Sequence, residues 1–223
     1  MDPQFSNAST NNIYELLKEM IFDWRLSPGE KINVSSLARK LNISPIPLRE
    51  ALSRFHSTKL VLFEPNKGYR VSEILHNDEM LQLMKARNLI EQYAITQVIR
   101  NNQLDIVETL QHITERMIGL NVKNSYKEVL KFVHLDSQFH STIIDKAYNT
   151  FLSEAYFGMY SHLHIARFYR ARGGVDQDEA TDEHWKIIDA IKKRDIFKAK
   201  LSVEKHIKDA KNRLLRKDTD AED

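Results

Sequence analysis

The chain has 223 residues, 42% of them apolar and 29% charged, a balance that excludes a disordered chain and fits one large domain or two modest ones. It contains no cysteine, which excludes disulfides, thiolate nucleophiles and cysteine-ligated zinc or iron–sulfur centres. Only 6 Gly and 5 Pro accompany a net charge of +2, against a turn-rich sandwich or barrel and for long helices.

No apolar run approaches the ~18 residues of a membrane-spanning helix. Residues 1–10 are polar and lack a signal-peptide stretch, so a cytoplasmic protein is expected. The charge is uneven. Residues 28–74 carry eight basic side chains (Lys31, Arg39, Lys40, Arg49, Arg54, Lys59, Lys67, Arg70) and four acidic ones, whereas residues 76–223 carry 23 of each sign. A small basic unit followed by a neutral one is compatible with a module that touches phosphate joined to one that does not.

In chain order, Ile13, Leu16, Leu17, Met20, Ile21 and Trp24 recur at helical spacing and stop at the turn Leu26-Ser27-Pro28-Gly29. Val34, Leu37, Ala38 and Leu41 predict a short amphipathic helix, broken at Asn42-Ile43-Ser44. Ser44 can cap the next helix and Pro45 suits its first turn; Leu48, Ala51, Leu52 and Phe55 form its buried face. Two such helices across a tight turn are a helix-turn-helix pattern. Two β-prone runs, 60–63 and 69–71, flank Pro65-Asn66-Lys67-Gly68 and predict a hairpin, or wing. Residues 10–75 are therefore expected to be a winged helix-turn-helix domain. Its second helix would enter the major groove of double-stranded DNA, with Arg49 one turn in, Ser44 and the turn amides at a phosphate, and Lys67 at the wing tip. A helix pair and hairpin that only pack is the alternative.

These residues carry a resemblance. Leu26-Ser27-Pro28-Gly29-Glu30-Lys31-Ile32, Leu37-Ala38-Arg39-Lys40-Leu41-Asn42-Ile43-Ser44, Pro47-Leu48-Arg49-Glu50-Ala51-Leu52, Leu60-Val61 and Asn66-Lys67-Gly68-Tyr69-Arg70-Val71 resemble the N-terminal domain of GntR-family bacterial transcription regulators. The resemblance implies DNA contacts from Arg39, Ser44, Ile46, Arg49, Arg54, Lys67 and Gly68. The sequence departs from the family at Ser35 and Pro45, where the family usually has DNA-contacting arginines, at Ile46, where it has Thr, and at Lys59, where it has Gly.

After a join at 76–78, with Asn77 expected to cap, amphipathic stretches run to about 99 and over 103–120, 125–147, 150–172, 176–193 and 196–217. The short connections between them, Gly173-Gly174 among them, imply antiparallel neighbours. Residues 78–217 are thus expected to form an antiparallel bundle of about six helices, making the chain mainly α.

Polar residues interrupt the apolar stripes of this bundle. Asp136 and His140 lie one turn apart on the stripe Val129, Phe132 or Val133, Ile143, Ala147; His184 precedes Ile187, Ile188 and Ile191; His206 sits among Ala199, Val203, Ala210 and Leu214. A buried carboxylate needs a partner. A divalent ion such as Zn, Ni, Mn, Fe or Co is one; hydrogen-bonded core histidines are the other reading. His162 and His164 also lie near a stripe, His134 is not clearly inward, and His56, His76 and His112 look like surface or join residues.

The pattern resembles the FadR subgroup of GntR regulators, whose all-helical effector domain often carries one Asp and three His ligands at this spacing. The resemblance covers roughly 12–215 and implies that Asp136, His140, His184 and His206 bind a divalent metal. Arg87 and Glu91 resemble the opening motif of that domain. The function implied is a homodimeric, ligand-responsive regulator binding an operator. A small organic acid would sit at the metal, with Arg87 as charge partner. Two rival readings are a metal-dependent enzyme acting on a small carboxylate and a regulator with a purely structural metal. The enzyme lacks a general base, because Glu183, next to His184, points about 100° away from it. A di-iron bundle is disfavoured because the bundle helices have no Glu-x-x-His pair.

Overall fold

The computed structural model describes residues 10–57, 59–122, 126–159 and 175–216. They divide into two compact units, Met1–Ile74 and Leu75–Asp223. The first holds helices α1 (Thr10–Phe22), α2 (Val34–Leu41) and α3 (Pro45–Ser57), with strands β1 (Lys31–Ile32), β2 (Val61–Glu64) and β3 (Gly68–Val71). The second holds α4 (Asn77–Arg100), α5 (Ile106–Ile118), α6 (Tyr126–Asp145), α7 (described over 150–159), α8 (Gln177–Lys192) and α9 (Ile196–Arg216).

In the first unit, Ile13, Leu17, Met20 and Ile21 of α1 and Leu48, Ala51, Leu52 and Phe55 of α3 are all buried. Tyr14 stacks on Phe55 with ring centroids 4.1 Å apart. Helix α2 starts at Asn33, whose side chain accepts from the Ser36 N–H at 2.9 Å. It ends at Asn42 in the left-handed conformation, φ 54°, a geometry that Asn tolerates better than most residues. The wing is a three-stranded antiparallel sheet of order β1-β3-β2. Strand β1 was not among the predicted elements. Two residues are too few to show alternation, and Lys31 and Ile32 become a strand only because Arg70 and Tyr69 lie opposite them. Gly68, at φ +84°, lets the chain turn between β2 and β3.

In the second unit, α4 packs mainly along α9, α8 also packs on α9, and α5 packs on α6 and α8. The core is aliphatic, with Met84, Ala94, Val98, Leu110, Ile143, Ile187, Ile191 and Val203 among its buried members. The cap of α4 falls one residue earlier than expected. His76 is the N-cap, and its backbone N–H donates to the Glu79 carboxylate at 3.0 Å, so Asn77 is the first helical residue. His134, His76 and His112 are exposed. The expectations for His162, His164, the Gly173-Gly174 turn and the end of α7 fall outside the described residues.

Candidate metal centre and nucleic-acid interface

Three helices of the second unit bring four side chains to one point. Asp136 and His140 come from α6, His184 from α8 and His206 from α9; all four are buried, and one ligand atom from each lies within 4.8 Å of the others. The His140 and His206 Nε2 atoms are 3.1 Å apart. Asp136 Oδ1 is 3.8 Å from His140 Nε2 and 3.5 Å from His184 Nε2. The His184 ring stacks on Phe139 at 3.8 Å and 3°, which fixes its plane.

The far side of two imidazoles is held by carboxylates. His140 Nδ1 is 2.8 Å from Glu91 Oε2, and His206 Nδ1 is 2.8 Å from Glu183 Oε2. Each Nδ1 carries the proton that it donates, so each Nε2 presents a lone pair. Two lone pairs facing each other at 3.1 Å repel, and only a proton or a cation between them relieves this. Burial, the largest influence, pushes His140 down to about 4 despite the opposing charge of Glu91. Donors about 2.1 Å from one ion stand roughly 3–3.5 Å apart when adjacent and about 4.2 Å when opposite. The 3.1, 3.5 and 3.8 Å separations lie between those limits, and the donor set of one carboxylate and three imidazoles suits a divalent ion.

The carboxylates are themselves anchored. Arg87 Nε donates to Glu91 Oε1 at 2.5 Å, and Tyr156 Oη donates to the same oxygen at 3.2 Å. Burial, the largest influence, would raise the Glu91 carboxyl, but the charge of Arg87 and the hydrogen bonds from Arg87 and His140 outweigh it and hold the group ionised. Burial would likewise strip Arg87 of its proton, yet Glu91, Tyr156 and Asp136 keep it charged. Arg87 Nη1 and Nη2 are buried and have no hydrogen-bond partner among the described residues. On the other flank, Arg213 Nη1 and Nη2 donate to the two oxygens of Glu183, each at 2.8 Å. There too burial pushes the carboxyl up, but Arg213 and His206 bring Glu183 down to about 2.

In the first unit, Ser44, Pro45, Ile46, Arg49 and Arg39 are exposed around the turn between α2 and α3. Ser44 Oγ accepts from the Ile46 N–H at 3.4 Å. Lys67 is exposed on the wing and paired with Glu64 at 2.7 Å. Arg54 faces α1: its Nη1 donates to Asn11 at 2.7 Å and its guanidinium lies 4.3 Å from the Tyr14 ring centroid.

Residues 9–71 match the model of the bacterial regulatory proteins of the gntR family, and residues 82–209, more than half of the chain, match the FCD domain. The chain is a GntR-family regulator with an FCD domain. It is 27% identical over 196 residues to the HTH-type transcriptional regulator YdhC of Bacillus subtilis (strain 168), covering 86% of this chain and 85% of that one. It is 26% identical over 220 residues to the probable HTH-type transcriptional regulator LgoR of Escherichia coli (strain K12), covering 95% and 70%. A solved structure of Lar, described as controlling expression of the Listeria monocytogenes agr system, shares the fold with TM-score 0.69 at 18% identity, over 94% of this chain and 98% of that one. This GntR regulator is a DNA-binding transcription factor and not an enzyme. No described helix is long and apolar enough to cross a membrane.

Sequence reasoning placed all four clustered residues but not the layer behind them. Glu183, adjacent to His184 on α8, reaches His206 on the neighbouring helix. Arg213 left no signal of its own, because a basic residue near the end of a helix is ordinarily on the surface. Glu91 left one usable sign, its i,i+4 spacing from Arg87.

Proposed function

We propose that the FCD domain holds a divalent metal at Asp136, His140, His184 and His206 and senses a small organic acid there. The observation that carries this reading is the pair of Nε2 atoms 3.1 Å apart, each on a ring whose Nδ1 is committed to a carboxylate. Nitrogen and oxygen donors of this kind suit Zn, Ni, Mn or Fe. The carboxylate-backed histidines match the usual support of metal-binding imidazoles. The metal would supply a Lewis-acidic position for a carboxylate oxygen. Arg87 would take the other end of the acid, because its two buried Nη groups form a fork of the kind that pairs with carboxylates.

In the first unit, α3 would enter the major groove of the operator as the reading helix, with Arg49 and Ile46 toward the bases and Ser44, Arg39 and the wing residues Lys67 and Gly68 toward the backbone. Arg54, held by Asn11 and Tyr14, would add charge beside that surface. Two copies would bind a palindromic operator as a homodimer. Helix α4 carries Arg87 and Glu91 and begins three residues beyond the reading head in sequence, so it is the natural carrier of the signal. Such coupling is worth about 1–3 kcal/mol in other regulators.

The test uses full-length protein. Metal content is measured for wild type, H184A and H206A, and operator affinity is then followed while organic acids are titrated. Stoichiometric metal in wild type, lost in both variants together with the acid response but not DNA binding, supports sensing. An acid response that survives loss of the metal overturns it. Collapse of the fold on metal removal, with no acid response in the wild type, supports a structural ion instead.

A further inference from the structure

The first turn of α3 has an unusual surface. Leu48, Ala51, Leu52 and Phe55 form its buried stripe. At about 100° per residue, Ile46 lies opposite that stripe, on the outer face with Arg49, Glu50 and Ser53. Ile46 is 67% exposed. A lone exposed aliphatic residue needs no explanation, but this one is flanked by Pro45 and Pro47, which have no N–H to offer. The N–H of Ile46 itself is directed to Ser44 Oγ. The turn that meets base edges in a helix-turn-helix complex is therefore short of donors and capped by a branched hydrocarbon. Exposed Arg39, Lys40 and Arg49 around it still draw it to phosphate.

Hydrogen-bond readout does not suit such a turn. Among the base edges of the major groove, the one apolar group is the 5-methyl of thymine. We infer that Ile46 reads the methyl group of a thymine in the operator, packing against it where a polar side chain would hydrogen-bond to a base. The inference rests on the reading of α3 as the helix that enters the groove, and its test separates the two.

The preferred duplex is first selected from a random pool with full-length protein. Each thymine in it is then replaced singly by deoxyuridine, which removes only the methyl. Affinities of wild type, I46A and R49A are measured by fluorescence anisotropy over one common series of salt concentrations. At one thymine, loss of the methyl weakens wild-type binding about fourfold, the worth of one buried methyl, and has no further effect in I46A. Because Ile46 makes no phosphate contact, the salt dependence of I46A binding equals that of wild type. If R49A weakens sequence-preferred binding but no thymine is methyl-sensitive, or if the methyl penalty persists undiminished in I46A, the inference is overturned while α3 remains the reading helix. If neither R49A nor I46A alters preferred binding, the reading of α3 fails as well.

Discussion

The side chains behind the four clustered residues decide how rigid the centre is. Glu183 is gripped by both Nη groups of Arg213 and grips His206 in turn, so Arg213 orients an imidazole it never touches. Support of this kind typically changes metal affinity by about 10–100-fold. R213M is expected to weaken metal binding by that factor in a chelator competition, with His206 still present. Arg87 and Glu91 form a buried ion pair, and removing one partner of such a pair costs about 3–5 kcal/mol because the other is left charged in the core. Urea unfolding of R87M is expected to show a loss of that size. R87M/E91Q, with a neutral amide left to meet His140, is expected to recover much of it. Sequence periodicity singled out the clustered residues because Asp136 and His140 interrupt an apolar stripe. It hid Glu91, Glu183 and Arg213 because charged residues at mixed positions read as surface until a partner on another helix is known. In the first unit the contacts of Arg54 with Asn11 and Tyr14 on α1 were likewise hidden, because both partners lie about 40 residues away in sequence.

Among the elements, the helices and the wing hairpin were legible, whereas strand β1 and the exact start of α4 were not. Helices α5, α6, α8 and α9 lie within a few residues of their predicted spans, since each buries a continuous stripe. Strand β1 depends on its pairing with Arg70 and Tyr69 and the start of α4 on the Glu79 carboxylate at the His76 N–H, and no periodicity reports either. The helix-turn-helix is fixed at both ends of α2, by the Asn33 side chain at its start and by left-handed Asn42 at its end. Removing an N-cap side chain costs about 1 kcal/mol. N33A is expected to lower the stability of the first unit by that amount in chemical denaturation, and to weaken DNA binding only through the population of folded α2.

For the whole molecule, the division into two units locates the effect of metal removal. A ligand that binds only the folded state stabilises it by about 2.7 kcal/mol at a hundredfold excess over its dissociation constant, and the proposed ligands all belong to the second unit. Chelation is therefore expected to lower amide hydrogen-exchange protection in α6, α8 and α9 and to leave α1 to α3 as they were. Equal loss in both units would contradict a centre confined to the FCD domain. The boundary between the units falls near residue 75, where basic charge and short elements give way to neutral charge and long helices. The order in which helices of the bundle pack was not legible, since amphipathic stripes of similar width can pair in many ways.

The pairing of α4 with α9 has a consequence for biosynthesis. The first helix of the FCD domain leaves the ribosome more than a hundred residues ahead of the last, the helix it packs against most. Domains fold as units, the amino-terminal one first, so the DNA-binding head can mature while translation continues. The bundle behind it must wait, with apolar faces uncovered, until its closing helix emerges. Nascent chains stalled before α9 should be the ones that recruit chaperones.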